Sequence, residues 1–327
     1  MVQYVSRRPR MHELQTYQLA IIALGAIAFG VYLLVKGGDW TVDNAVVVAE
    51  KSGLSKMFIA ATVVAFGTSA PELFTSINAN LSGYPGISVG NVIGSNIANV
   101  LLVVAISAMI APLAWDRKEV RVDVFVMVAA TSAMAVGVVY GIIPQWAGFA
   151  MVVSISLYIL YQYMASKLDI DDVEEHESDD PHPGIMLGVG IVTLLIGSEI
   201  IVQGAVAGGA ALGVPEAVIG MTVIAFGTSL PELTACVAAA RKQQSDMIIG
   251  GIIGSNIFNI LSVLAFSALS KALLIDARFA GFDLYAVLGV TIFFSVILLL
   301  IGRMARSVGF IMLVCYVAFV SAQHLLT

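Results

Sequence analysis

The chain has 327 residues, 59% of them hydrophobic and 12% charged, with a mean hydropathy of +0.95. A soluble domain does not carry that composition, and apolar runs of about 20 residues, enough to cross a bilayer as helices, recur throughout. The formal charge of −6 is local: eight acids fall in Asp169–Asp180, and without them and Lys167 the remainder carries +1, so no nucleic-acid partner is expected.

In chain order, residues 1–16 form a polar, basic tail, with Met11 an alternative initiator. The first apolar run is of spanning length and lacks a small-residue cleavage site, so no cleavable signal peptide is expected. Ten spans follow, at about Tyr17–Lys36, Ser55–Asn80, Ile87–Ala111, Val122–Tyr140, Pro144–Met164, Ile185–Ala205, Pro215–Ala240, Ile248–Leu269, Phe282–Ile301 and Val308–Leu325. The predicted class is an all-α polytopic membrane protein with short connections. Cys236 and Cys315 both lie in apolar runs and read as packing residues.

The chain repeats itself. Thr62–Glu72, TVVAFGTSAPE, returns 160 positions later as Thr222–Glu232, TVIAFGTSLPE, and Gly94–Asn99, GSNIAN, returns as Gly254–Asn259, GSNIFN. Over Met57–Glu72 against Ala217–Glu232, 10 of 16 positions are identical. Five spans separate equivalent points, and an odd number inverts the second copy, as in many secondary transporters. The expected organisation is therefore a tail (1–16), a first five-helix repeat (17–164), an acidic loop (165–184) and a second five-helix repeat (185–327).

Eleven basic residues fall in the loops on one side of this plan and five on the other. The basic side is read as cytoplasmic, which puts the acidic loop in the cytoplasm, both termini outside and the protein in the cell (plasma or inner) membrane.

Each repeated segment sets a carboxylate and a proline at membrane depth, where an acid costs roughly 2.5–3.5 kcal/mol to insert and so marks a site. Pro71 has no N–H, so the carbonyl of Gly67 loses its helical partner, and Pro231 does the same to Gly227. Glu72 follows at once, with Thr68 four residues before it on the same face. In the next span Ser95 and Asn99 share a face, and the second copy supplies Thr228, Ser229, Glu232, Ser255 and Asn259. Every candidate ligand is oxygen, which suits hard cations such as Ca²⁺, Na⁺ and Mg²⁺ and not zinc or copper. Two glutamates balance one Ca²⁺ or two Na⁺, and ions competing for one alternately exposed site is what exchange requires. Against this stand plainer readings: Gly90, Gly94, Gly250 and Gly254 as packing residues, hydroxyls bonded back to their own helices, Asp39 and Glu199 as interfacial acids, and the acidic loop as a linker.

At these residues the chain resembles a sodium/calcium exchanger of the cation/calcium exchanger superfamily, in its compact prokaryotic form. The paired GTS-x-PE segments (Gly67–Glu72, Gly227–Glu232) and paired GSN-x-x-N segments (Gly94–Asn99, Gly254–Asn259) carry the resemblance. It implies two inverted five-helix halves with Glu72 and Glu232 as central Ca²⁺ carboxylates shared with Na⁺. It further implies that Thr68 and Thr228 give backbone carbonyls, that Ser69, Ser229, Ser95 and Ser255 line flanking Na⁺ sites, and that Asn99 and Asn259 complete the middle. The first helix of each half would slide to switch access. Many family members carry Asp where this chain has Asn259, which removes a third carboxylate and leaves stoichiometry and counter-ion open.

The expected function is Ca²⁺/Na⁺ antiport at a midplane site, with H⁺ or K⁺ as alternative counter-ions and a cation channel as the rival of another class. No enzymatic role is expected, since no histidine base or nucleophile pair lies at membrane depth, and no cofactor is implied beyond the transported ions. Oligomeric state is open.

Overall fold

A computed structural model describes residues 8–166, 182–211 and 227–326. The acidic stretch Asp169–Asp180 and the Thr222–Phe226 part of the second motif lie outside the described residues, as do residues 1–7. The molecule is helical: eight helices are long and apolar enough to span a membrane, and a bent pair makes a ninth, among the described residues. Of the seventh expected span, Pro215–Ala240, only Gly227 onward is described.

The first span is longer than its apolar core implies. Helix α1 runs Arg8–Ser52, 45 residues, through Gly37-Gly38-Asp39 and past the expected end at Lys36. At 1.5 Å per residue it is about 68 Å long, well over a bilayer's thickness. Asp39 is therefore mid-helix, where it and Asp43 meet Lys242 (3.8 and 2.6 Å). Glu199 is likewise inside α9 (Pro183–Ala211), accepting from Gln203 at 2.8 Å, rather than at a span end.

The second span is broken: α2 (Lys56–Ile59), a π turn (Ala60–Val64) and α3 (Ala65–Thr68) lead to Ser69, after which α4 (Ala70–Leu81) departs at 44°. The third is α5 (Pro85–Ala98), a π turn (Asn99–Val104) and α6 (Ala105–Ile110). Helices α7 (Val120–Tyr140) and α8 (Gln145–Ala165) close the first half. The second half repeats the order as α9, α10 (Leu230–Arg241), α11 (Ser245–Phe258), a π turn (Asn259–Leu264), α12 (Ala265–Ser270), α13 (Phe282–Val296) and α14 (Arg306–Leu326).

Contacts between the halves come in swapped pairs, as a two-fold relation requires. In the α1–α9 crossing, a Cβ on Gly30 would lie 2.8 Å from the carbonyl of Gly197, and one on Gly37 2.9 Å from that of Gly190. Gly30 and Gly37 are the repeat mates of Gly190 and Gly197. Only glycine lets the two backbones approach so closely. Two-residue strands do the same: β1 (Leu113–Ala114) pairs with β4 (Arg303–Met304), and β2 (Ile142–Ile143) with β3 (Leu273–Leu274).

The repeat offset does not stay at 160. Gly141 and Gly302 both end spans at φ 73°, 161 positions apart, and Gly148 packs on Ala265 as Gly309 packs on Ala105. The extra residue is absorbed by the π turn Ile297–Ile301, since widening one helical turn is how an insertion is accommodated without changing either flank. The innermost helices carry the GSN segments: of an 18-residue apolar stretch within Ser245–Ser270 94% is buried, and within Pro85–Ile110 78%, against 11% for Arg306–Gln323.

Candidate cation site

Gly67–Glu72 stops one half-helix and starts another, and Gly227–Glu232 starts a half-helix at the same repeat position. Ser69 sits at φ −83°, ψ 8° and Ser229 at −88°, 3°, so both chains leave helical geometry at the same repeat position. The next turns restart on the amides of Leu73 and Leu233, which donate to the carbonyls of Ser69 (3.2 Å) and Ser229 (3.0 Å). Glu72 and Glu232 thereby fall in the first turns of α4 and α10, at the positive ends of half-helix dipoles, where a carboxylate is favoured. The carbonyl freed in the second copy is satisfied by protein: Ser198 of α9 donates to Gly227 O at 2.6 Å. Its repeat mate is Gly38, which has no hydroxyl to offer Gly67.

Both carboxylates are buried, 1% and 4% exposed. Among the described residues no Lys, Arg or His pairs with either one. Ser69 Oγ crosses between the halves to donate to Glu232 Oε1 at 3.0 Å, Thr68 also stands beside Glu232, and Thr228 stands beside Glu72. Thr68 spends its own hydroxyl on the carbonyl of Val64 at 3.1 Å, the back-bonding that the plainer reading describes. Thr68, Glu232 and Ser255 line a cavity of about 20 Å³, the size of one water or one ion.

The neutral part of the site is an asparagine frame. Asn99 Nδ2 donates to Asn256 Oδ1 at 3.1 Å, and Asn259 Nδ2 donates to Asn96 Oδ1 at 3.0 Å. These bonds exchange under the repeat, and each donor opens a π turn. With the amide nitrogens held, the oxygens are left over. Glu72 Oε2, Glu232 Oε2, Asn99 Oδ1, Asn259 Oδ1 and Thr228 Oγ1 are buried with no hydrogen-bond partner among the described residues. Two of these five oxygens belong to the unbalanced carboxylates and three to neutral side chains, an all-oxygen set of the kind a hard cation takes, because an unpaired buried polar atom costs about 1–3 kcal/mol and a native fold rarely carries five. Asn259 retains the oxygen that an aspartate would supply and replaces its charge with a tether.

Of the residues singled out from sequence, Glu72, Glu232, Thr68, Thr228, Ser69 and Ser255 are brought together by these contacts, and Asn99 and Asn259 are tied instead to Asn256 and Asn96 of the opposite half. Ser95 and Ser229 are buried on the same elements. Gly250 and Gly254 pack against Met57 and Ala61, with virtual Cβ atoms 2.6 and 2.3 Å from their carbonyls. Gly94 has nothing within 4 Å among the described residues, and Gly90 faces Phe279 at 3.6 Å. Asn96 and Asn256 were missed: the i, i+4 face of Ser95 and Asn99 passes over the residue between them, although an amide at membrane depth repeated at offset 160 was a readable signal. Asp123 and Asp283, near the starts of α7 and α13, were not singled out either. They also repeat at offset 160, and they accept from Gln162 and Gln323 respectively.

The family model described as sodium/calcium exchanger protein matches residues 22–167 and 182–325. The chain belongs to the sodium/calcium exchanger family. It is 36% identical over 256 residues to membrane protein MJ0091 of Methanocaldococcus jannaschii, covering 77% of this chain and 83% of that one. It is 31% identical over 339 residues to the sodium/calcium exchanger MaX1 of Methanosarcina acetivorans, covering 90% and 96%. Its fold superposes on the sodium-calcium exchanger NCX_Mj, soaked with Na⁺ and Sr²⁺, at a TM-score of 0.81 and 30% identity, over 92% of this chain and 98% of that one. This exchanger is thus an integral, multi-pass membrane protein of the cation/Ca²⁺ antiporter class.

Proposed function

We propose that this exchanger moves Ca²⁺ out of the cell against Na⁺ entering down its gradient, through a single midplane site that alternates in access. The observation that carries the reading is the set of five buried oxygens without a hydrogen-bond partner among the described residues, two of them on Glu72 and Glu232 and three on Asn99, Asn259 and Thr228. Two carboxylates without a basic partner need two positive charges, which one Ca²⁺ or two Na⁺ provide, so the ions displace one another. Glu72, Glu232, Asn99, Asn259 and the carbonyls of Thr68 and Thr228 are assigned to Ca²⁺, with Ser69, Ser95, Ser229 and Ser255 flanking. Pro71, Pro231, Gly67 and Gly227 shape the helix breaks. The names of MaX1 and NCX_Mj as sodium/calcium exchangers support the Na⁺ coupling. The two halves, 17–164 and 185–327, would be inverted about the site, with the loop 165–184 cytoplasmic and both termini outside.

The test is Ca²⁺ uptake into vesicles loaded with Na⁺ and diluted into Na⁺-free buffer. Uptake that requires internal Na⁺ and is lost in Glu72→Gln and Glu232→Gln supports the proposal. Full uptake driven by a pH gradient alone would replace Na⁺ with H⁺ as counter-ion. Flux with no counter-ion requirement would mean a channel.

A further inference from the structure

Helices α7 and α8 leave between them a groove of about 1060 Å³ on the outer face of the first half. Its walls include Phe125, Ala129 and Ala133 of α7 and Ala150, Leu157 and Tyr161 of α8. Small side chains open it: the repeat-related position of Ala133 is Phe293, and that of Ala150, beyond the one-residue shift, is Ile311. Phe125, Leu157 and Tyr161 are more than half exposed along it, so in a membrane the groove faces hydrocarbon.

One end of the groove runs into a polar cavity of about 240 Å³, and Val122 and Tyr161 line both. Lys118, Glu119, Asp123, Gln162 and Ser166 line the polar part. Asp123 is fully buried: Oδ1 accepts from the Tyr158 hydroxyl at 3.0 Å and from the Gln162 amide, and Oδ2 has no hydrogen-bond partner among the described residues. A buried carboxylate oxygen of this kind calls for a donor. Lys118 and Arg121 are exposed at the same end, as are Arg117 and Asp116. An apolar groove at membrane depth ending in two acids and a lysine matches an amphiphile whose head carries both signs of charge.

We propose that groove and cavity together form a phospholipid site, with acyl chains between α7 and α8, the phosphate on Lys118 and a primary ammonium head on Asp123 Oδ2 and Glu119. A primary ammonium offers three N–H donors to the unpaired oxygen. A choline head offers none, and the glycerol head of phosphatidylglycerol is uncharged, so it brings no positive charge to the two carboxylates. The partner is therefore phosphatidylethanolamine in preference to phosphatidylcholine or phosphatidylglycerol.

The test uses the full chain in nanodiscs containing a phosphatidylethanolamine with a diazirine on its acyl chain, with labelled peptides mapped after irradiation. Label should concentrate in residues 120–165 over the repeat-related 282–326. Unlabelled phosphatidylethanolamine should compete about fivefold better than phosphatidylcholine, the worth of one hydrogen bond. Ala133→Phe with Ala150→Ile, which copies the second half, should remove the labelling. Asp123→Asn should erase the preference for ethanolamine over choline and leave the acyl labelling in place. If the double substitution fails to fold, Ala150→Ile alone and Asp123→Asn carry the test. Label spread evenly over the outer helices, labelling that survives a filled groove, or stronger competition by phosphatidylglycerol would overturn the proposal. So would a cross-link through this groove to a second copy of the chain in place of lipid.

Discussion

Ser69 and Glu232 are 163 residues apart in sequence and share a 3.0 Å hydrogen bond at the centre of the molecule. The bond ties the helix break of one half to the carboxylate of the other, so neither half holds the site alone. Ser69→Ala removes a hydrogen bond to a charged group, worth about 1.5–3 kcal/mol. The expected result is a rise of about tenfold or more in the Ca²⁺ concentration for half-maximal uptake, with the protein still folded. An unchanged value would remove Ser69 from the site.

Glu72→Gln and Glu232→Gln should separate transport from stability. Each replaces a desolvated, unbalanced charge by a neutral amide, so thermal unfolding in ion-free buffer should occur no lower than in the parent. The stabilisation by Ca²⁺, about 2.7 kcal/mol at a hundred times the dissociation constant, should vanish. Melting curves with and without Ca²⁺ check both halves of the statement.

Asn259→Asp adds a third carboxylate and takes the donor away from Asn96. Three negative charges need one more cation for balance, so Na⁺ dependence should steepen. The measurement is the Hill slope for Na⁺ in vesicle uptake, and a slope no higher than the parent's contradicts the charge-balance argument.

Ser198→Ala strips the donor from the carbonyl of Gly227, which is bonded at 2.6 Å. A carbonyl without a partner in the membrane interior costs about 1–3 kcal/mol, so the unfolding temperature should fall. The same substitution at Ser132, whose hydroxyl only bonds back to Val128 and is exposed, is the control and should change little.

Gly254→Ala places a Cβ 2.3 Å from the carbonyl of Ala61, a backbone atom that cannot yield. Overpacking of this kind costs typically 1–3 kcal/mol or more, and folded protein recovered in detergent should drop sharply. Gly289→Ala, with nothing within 4 Å among the described residues, should be recovered like the parent.

The sequence by itself determined the class and the repeat, and it singled out most of the residues proposed for the site. Composition forced spanning helices, and Glu72 and Glu232 announced themselves because a carboxylate followed by an apolar run is costly wherever the chain then folds. Repetition at 160 positions is a property of the string and needs no coordinates. The tertiary structure decided what depends on which faces meet. Asn96 and Asn256 look like the middle of a packing helix until the two-fold crossing sets each against the asparagine of the other half. The shift to 161 positions is invisible in the motifs, because a π turn at Ile297–Ile301 absorbs the added residue between them. The length of α1 was misjudged because Gly37 and Gly38 read locally as an end, whereas packing on α9 and α10 holds them helical. Local chemistry is written in single residues. Register, crossing and which oxygen is left without a partner follow from long-range packing, which no short stretch of sequence contains.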